Sequence, residues 1–372
     1  MVYTVRRGDT LYSISRRFGV PVAVLAWINQ IPEPDVLVEG QGLLILNSIP
    51  LGDLSVQVNG YAYPFISPYV LEQTLGQLNL LSDFSYGFTT AGELIGPETN
   101  DRRLLAQAAD RGVTTAMVLT PMDMEGRFSN VLVNILLADR ELQLRLLENV
   151  ERTVKEKGFG EVNIDFEYIL ASDRQGFVDF IRLAAERLSV PVSVCLAPKT
   201  SRDQRGLLYE GKDYRAIGEA ADRVLLMTYE WGYKYGPPLA VAPIYAVERV
   251  VEYALTEIPR EKISLGLPNY GYDWPLPYER GRTVARTIGS MEAVDMARRN
   301  GTNIIFDNPS RSPWFQYTDE GGTAHVVWFE DVRSWQAKFD LVKRYGLTGI
   351  GIWTVMNLNR PGMLLIRENF GG

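Results

Sequence analysis

Residues 161–169 read EVNIDFEYI, and their alternation decides how the rest of the chain is read. Side chains on a β-strand point to opposite faces in turn. Asn163, Asp165 and Glu167 therefore share one face, and Val162, Ile164, Phe166 and Tyr168 share the other. In a barrel of parallel strands wrapped by helices the apolar face meets the helices, which turns the polar stripe inward. Interior barrel positions are normally bulky and aliphatic, and an unpaired buried carboxylate is costly. Two carboxylates at the carboxyl end of a barrel strand, where active sites of this fold lie, are hard to explain as structure alone. Separated by roughly 6.6 Å along the strand, they are placed to have their pKa values pushed apart, so that one stays charged while the other holds a proton. Glu167, nearer the open end, is the expected acid; Asp165 is expected to accept a hydrogen bond.

Outward from that strand, apolar runs recur between helical patterns: VQVNGYAYPF, LLSDFSYGF, TTAMVLTPM, PVSVCLAPK, RVLLMTYEWG, ISLGLPNYGY and IGIWTV. With VNIDFEYI they make eight strands, and amphipathic stretches such as ADRELQLRLLENVERTVKEKG and SDRQGFVDFIRLAAERL lie between them. The predicted fold class is α/β, a (β/α)8 TIM barrel over residues 55–372. The spacing breaks between Trp274 and about Leu347, where a helix-like GSMEAVDMARRNG and strand-like IIFD, WFQYT and HVVWFE predict a small α+β insertion, at about 275–345, before the last strand. In the last strand Gly349, Gly351 and Trp353 share a face, so two missing side chains are expected to leave room beneath an indole ring. Met227 and Tyr229 share a face of the sixth strand. Tyr272 and Asp273 are expected to end the seventh strand as sugar contacts, although YGYDW could equally anchor the insertion.

The first 47 residues read differently. Tyr3 and Val5 alternate with polar neighbours, Gly8-Asp9 turns the chain, and Leu11, Ile14 and Phe18 follow at helical spacing up to Gly19. A second helix is predicted over Pro21–Asn29, with Val24, Leu25 and Ile28 on one side, and VLVEGQGLLIL supplies a closing strand. The pattern is β-α-α-β. Residues 48–54, NSIPLGD, read as a short polar linker.

Composition narrows the chemistry. At 372 residues the chain suits one large domain and a small one, and a net charge of −7 argues against nucleic-acid or anionic-membrane partners. Arg6, Arg7, Arg16 and Arg17 balance Asp9, Glu33, Asp35 and Glu39, so the small unit is neutral, as suits an uncharged ligand. A single cysteine, Cys195, excludes an intrachain disulfide and reads as packing in an apolar strand. The single histidine, His325, excludes multi-histidine metal sites and lies in a turn-like GGTAH away from any nucleophile motif. No cofactor or metal is expected, and catalysis falls to carboxylates, tyrosines or lysines. No apolar run approaches the ~20 residues needed to cross a bilayer, and MVYTVRRGDT lacks the apolar core of a signal peptide.

RRGDTLYSISRRFGV, WINQI and EGQGLLIL together resemble a LysM domain, the module that binds N-acetylglucosamine glycans. That resemblance implies a ligand groove between the loop carrying Asp9, Thr10 and Leu11 and the loop around Ile31. EVNIDFEYI resembles the D-x-x-D-x-D-x-E signature of glycoside hydrolase family 18, and LLMTYEWG, LGLPNYGYDW and GIGIWTVMN are similar to that family's sixth, seventh and eighth strands. This second resemblance implies retaining, substrate-assisted hydrolysis, in which the substrate's own N-acetyl oxygen attacks the anomeric carbon. It further implies Glu167 as general acid and then base, Asp165 as the group that orients the acetamide, Tyr229 as its hydrogen-bond donor, and Trp353 as the floor of the sugar site. Asn163, Met227 and Glu230 join the expected substrate-binding set. Three positions depart from the family pattern: Gly160 and Asn163 replace aspartates of the signature, and Glu230 replaces the aspartate after the sixth-strand tyrosine. Asn163 cannot share a proton with Asp165 as a carboxylate would, which changes how Asp165 is tuned. A LysM module without a leader, joined to an N-x-D-x-E barrel, resembles the spore-cortex peptidoglycan hydrolases of spore-forming bacteria, N-acetylglucosaminidases acting on cortical fragments. The resemblance implies a monomer made in the mother-cell cytoplasm and deposited in the spore coat or cortex. A chitinase and a non-catalytic glycan-binding coat protein are the alternatives.

Overall fold

The computed structural model describes residues 1–32, 36–48, 52–123 and 126–371. Eight parallel strands close into a barrel: Gln57–Ala62, Leu80–Phe88, Thr114–Leu119, Glu161–Ile164, Val192–Leu196, Arg223–Leu226, Ile263–Pro268 and Gly349–Trp353. Each pairs with its neighbours in parallel register, and the eighth returns to the first through Gly349 opposite Gln57. Amphipathic helices such as Arg140–Lys157 and Arg174–Arg187 pack Leu146, Val150, Phe177 and Ile181 against the outward faces of the strands. The long 140–157 helix is capped at Asp139, whose side chain accepts from the Glu141 and Leu142 amides, and it ends on Gly158 with φ +74°. The expected barrel is present.

The seventh apolar run divides where a single strand was expected. Its first part, Ile263–Pro268, stays in the barrel, while Tyr270–Pro275 leaves it and pairs antiparallel with Arg286–Gly289 and Ala324–Trp328. With Ser312–Thr318 and Ile305–Asp307 these make a five-stranded sheet between the seventh and eighth barrel strands. The insertion thus begins at Tyr270, earlier than the spacing predicts. The helix Val332–Tyr345 belongs to the barrel wall, because Val332, Trp335 and Phe339 enter the main core. One face of the inserted sheet packs on the helix Ser290–Arg299 through Ile288, Ala293, Phe315 and Val327. The other face presents Tyr270, Tyr272 and Trp274, which cluster with Tyr229 and Trp353 of the barrel.

The N-terminal unit is the expected β-α-α-β: Val2–Thr4, Leu11–Phe18, Val22–Ile28 and Gly42–Leu44. Thr10 caps the first helix with a reciprocal bond to Ser13, and Gly19 ends it at φ +70°. Leu25 and Ile28 of the second helix are buried, whereas Val24 is 40% exposed and does not join them. The buried Asn29 ties this helix to the closing strand by accepting from the Leu44 amide at 2.7 Å and donating to the Leu44 carbonyl at 2.9 Å. The closing strand is shorter than VLVEGQGLLIL suggests, because residues 38–41 turn through Gly40, whose φ is +85°.

The small unit docks on the barrel over a wide front. Ile28, Leu44 and Leu46 join the barrel's own core, and Val38 joins the core of the inserted sheet. The Met1 ammonium meets Glu368, Arg333 reaches Thr4, and the Ile304 amide donates to the Glu39 carbonyl at 2.9 Å. A Cβ on Gly40 would lie 1.7 Å from the Ile304 carbonyl oxygen, so this approach requires glycine. The predicted 48–54 linker falls partly on residues 49–51, which lie outside the described residues. Among the described residues no helix is long and apolar enough to cross a membrane.

Candidate active site

The fourth barrel strand ends at Ile164, but the alternation persists past it because the Asp165 amide still donates to the Leu119 carbonyl at 2.9 Å. Phe166 turns outward among Phe88, Phe177 and Phe180. Asp165 is 5% exposed inside the barrel, and Glu167 is half-buried at its mouth. Glu167 lines an open cleft together with Ala197, Tyr209, Met227, Tyr229, Glu230 and Trp231.

Beneath the acids lies a polar floor. Asn163 donates from Nδ2 to Ser193 Oγ at 2.8 Å and accepts at Oδ1 from the Tyr61 hydroxyl at 3.2 Å and the Cys195 thiol at 3.3 Å. These partners occupy the Asn163 amide, and its 1% exposure sets it below the cleft and out of reach as a sugar contact. None of these bonds runs to Asp165. The Cys195 thiol, which donates to Asn163, helps to hold the Asp165 carboxyl down, so Cys195 serves the acids as well as the packing.

The described residues give Asp165 Oδ1 no hydrogen-bond partner although it is fully buried. A buried, unmatched carboxylate oxygen costs about 1–3 kcal/mol or more, and such groups concentrate at functional sites. Burial first, then Glu167 beside it, pushes the Asp165 carboxyl up to about 7, against Lys212 and Cys195, which hold it down. Glu167 is also raised by burial, with Lys212 opposing. Lys212 is wholly buried, donates to the carbonyl of Phe166 between the two acids, and lies over the Phe177 ring at 4.5 Å. Burial lowers its ammonium to about 8 while Asp165, Cys195 and Glu167 pull it back up.

The remaining expected contacts sort by geometry. Tyr229 is half-buried at the end of the sixth strand and feels Asp165, Glu167 and Glu230, with burial pushing its hydroxyl well above its ordinary range. A Cβ on Gly266 would come within 3.0 Å of the Tyr229 ring, so a glycine on the seventh strand admits it. Glu230 stands at φ +69°, a left-handed conformation uncommon for this residue type. Its carboxylate accepts from the hydroxyls of Tyr270 and Tyr272, the latter at 2.9 Å, which ties the inserted sheet to the mouth of the cleft. Trp353 is half-buried against Phe84 at 4.8 Å and Tyr61 at 5.7 Å. The space that Gly349 and Gly351 open is filled by neighbouring strands: Cβ atoms there would meet Ser264 Oγ at 2.2 Å and Leu225 Cδ1 at 2.6 Å.

Asp273 does not join the cleft. It faces the opposite side of the inserted sheet from Tyr272, is 4% exposed, accepts from the Tyr317 hydroxyl at 2.9 Å, and is bonded to His325 Nδ1 at 2.8 Å. The YGYDW stretch thus anchors the insertion through Asp273 and reaches the cleft through Tyr272. His325 lies in the strand Ala324–Trp328, as HVVWFE predicts although GGTAH before it reads as a turn, and it is stacked on Tyr317. In the N-terminal unit Asp9 accepts from Tyr3 and from the Arg6 amide, and Thr10 serves as the helix cap. Leu11 is fully buried and Ile31 is 9% exposed, so these two form the walls of that unit's core and offer a ligand mainly backbone. Among the described residues no cluster of metal-ligating side chains occurs.

Reading residues singly missed Lys212, Tyr61, Tyr63 and Phe84. The alternation that groups Asn163, Asp165 and Glu167 also places Asn59, Tyr61 and Tyr63 on one inward face of the first strand. Lys212 carries no such signal, because it lies outside any helix or strand.

The model for glycosyl hydrolases of family 18 matches residues 81–357, and the LysM domain model matches residues 3–45. The cortical fragment-lytic enzyme of Bacillus subtilis is 40% identical over an alignment covering 99% of this chain and 98% of that protein. The solved spore cortex-lytic enzyme SleL of Bacillus megaterium superposes with a TM-score of 0.92 at 33% identity, covering 100% of this chain and 98% of that one. Its Bacillus cereus counterpart gives 0.82 at 35% identity, over 99% and 86% of the two chains. With the inward carboxylates at the barrel mouth, these matches identify a glycoside hydrolase: the chain belongs to the glycosyl hydrolases of family 18 and carries an N-terminal LysM domain.

Proposed function

We propose that this chain is a retaining, substrate-assisted β-N-acetylglucosaminidase that cleaves peptidoglycan, its substrate being spore-cortex fragments released during germination. The observation that carries the reading is the buried, unpartnered Asp165 Oδ1 beside the half-buried Glu167. An acetamide N–H supplies the donor that Asp165 lacks, and holding that group turns its carbonyl oxygen toward the anomeric carbon. The oxygen–carbon bond forms as the glycosidic bond breaks, and Glu167 gives its proton to the leaving oxygen. Glu167, now a carboxylate, then takes a proton from the water that opens the oxazolinium ion, restoring the N-acetyl group and the acid. Tyr229 donates to the acetamide oxygen, and the Trp353 ring floors the sugar.

The peptidoglycan substrate and a spore-associated location rest on the relatives, whose names describe lysis of the spore cortex. The LysM domain holds the chain, acting as a monomer, on the same glycan and raises its local concentration. New reducing ends should appear from cortex peptidoglycan fragments faster than from chitin oligomers. A preference for chitin would make the chain a chitinase, and release from neither would leave the cleft a glycan-binding site without catalysis.

Lys212 extends this reading as a positioning residue that holds both acids down in a floor where position 163 carries no charge. Besides Lys212, the groups facing Asp165 are Glu167, Cys195, Tyr61, Tyr63 and Tyr229. Lys212 is the cation among them, and it lowers both acids. Lys212→Met should raise both carboxyl pKa values and move the whole bell of kcat/KM against pH upward by about one unit. A fall in activity with no movement of the bell would assign Lys212 to packing alone.

A further inference from the structure

The LysM domain and the catalytic cleft meet at a stripe of exposed aromatic rings that neither the barrel chemistry nor the LysM groove accounts for. Trp27, on the second helix of the LysM domain, is 48% exposed, and the Arg360 guanidinium lies over its ring at 4.6 Å. Arg360 begins the helix that follows the Trp353 strand. It donates to the Trp27 carbonyl at 2.8 Å and to the Tyr69 hydroxyl at 3.2 Å, so one side chain ties both aromatic residues together. Its backbone amide donates to Gln30 Oε1 at 2.6 Å, and Gln30 immediately precedes Ile31, in the loop that forms one side of the LysM groove. Tyr69 is 60% exposed at the start of the helix after the first barrel strand, and Phe65, four residues earlier, is 63% exposed. Phe65 stacks on Tyr63 at 5.1 Å, and both line an open cleft with Phe84, the ring that packs on Trp353.

Two sets of rings therefore stand between the LysM loop and the sugar-site tryptophan: Trp27 and Tyr69, joined by Arg360, and Phe65, Tyr63 and Trp353, joined by ring contacts of 5.1 and 6.3 Å. Exposed aromatic rings grouped beside a cleft mark a binding surface, and such rings are suited to the flat C–H faces of pyranose sugars. The docking front described above fixes the two domains relative to each other, so the stripe has one shape.

We infer that the Trp27–Arg360–Tyr69 junction is a glycan subsite through which the LysM domain and the barrel grip a single glycan strand. The occupant is a strand of alternating amino sugars long enough to run from the cleft to the LysM loop; this rests on the reading of the chain as a peptidoglycan hydrolase. The domain thus acts as an extension of the cleft on a fixed frame, which spares the entropy that a flexible tether would lose on double engagement.

The test uses the full-length chain and glycan strands prepared from cortex peptidoglycan, separated into short fragments of two to four sugars and long strands. Trp27→Ala with Tyr69→Ala should raise KM for long strands about tenfold while leaving kcat, and the kcat/KM of short fragments, unchanged. In the Glu167→Gln background the same pair of changes should weaken binding of long strands by a similar factor. Equal behaviour of long strands with and without the two rings would overturn the inference, as would an equal loss on short and long substrates. Loss of long-strand binding in a chain that hydrolyses neither substrate would uphold the junction and reject the enzymatic reading, so the two failures are distinguishable. Both rings lie on the surface, and unchanged short-fragment kinetics verifies the fold of the variant.

Discussion

Glu167→Gln should lower kcat on cortex glycans roughly 10³-fold while leaving glycan affinity within about a factor of two. Glutamine keeps the shape of the side chain and its place in the cavity with Tyr229 and Met227, but it has no proton acidic enough to give to a leaving oxygen. Burial already holds the Glu167 carboxyl above its ordinary value, which is what a proton donor working near neutrality needs. The affinity should persist because the proposed recognition is spread over Trp353, the inferred aromatic subsite and the LysM domain. Steady-state assay of reducing ends, paired with calorimetric titration of an intact glycan, separates the two quantities. Turnover equal to that of the parent chain would contradict the assignment.

Asp165→Asn should lower kcat by about 10²-fold with KM little changed. Asparagine matches the volume of aspartate and can still meet Cys195, so the polar floor of Asn163, Tyr61 and Ser193 should keep its geometry. What disappears is the negative charge. The oxazolinium ion is positive where the bound substrate is neutral, so a carboxylate beside it stabilises the transition state more than the ground state. The parent enzyme should lose activity as pH falls through about 7, where Asp165 gains a proton. In the Asp165→Asn variant that acidic limb should vanish, leaving a low plateau ended on the alkaline side by Glu167. A variant that kept the acidic limb would place its origin elsewhere.

The barrel is legible in the sequence because a period of two is written on every strand and each strand is short and apolar. The LysM fold is legible because its helix cap and its left-handed glycine stand at the expected offsets. The carboxylates are legible for the opposite reason, since polar residues on an inward face break the rule their neighbours obey. Asp273 and Tyr272 were harder, because the strand they occupy belongs to a second sheet, and alternation within a strand does not say which of its faces meets the cleft. Lys212 was invisible, since its value lies in bridging to the Phe166 carbonyl from a loop 46 residues away. The same holds for the space under Trp353: glycines at 349 and 351 announce room, but only the packed structure assigns it to Ser264 and Leu225.

The proposed cleavage of an N-acetylglucosamine linkage by way of the substrate's own acetamide leaves a signature in the products. Cortex peptidoglycan should be digested with the full-length chain, the products reduced with borohydride, and the newly formed end sugar identified by mass analysis. Reduced N-acetylglucosamine is expected at the new ends; reduced muramic acid there would overturn the proposed specificity.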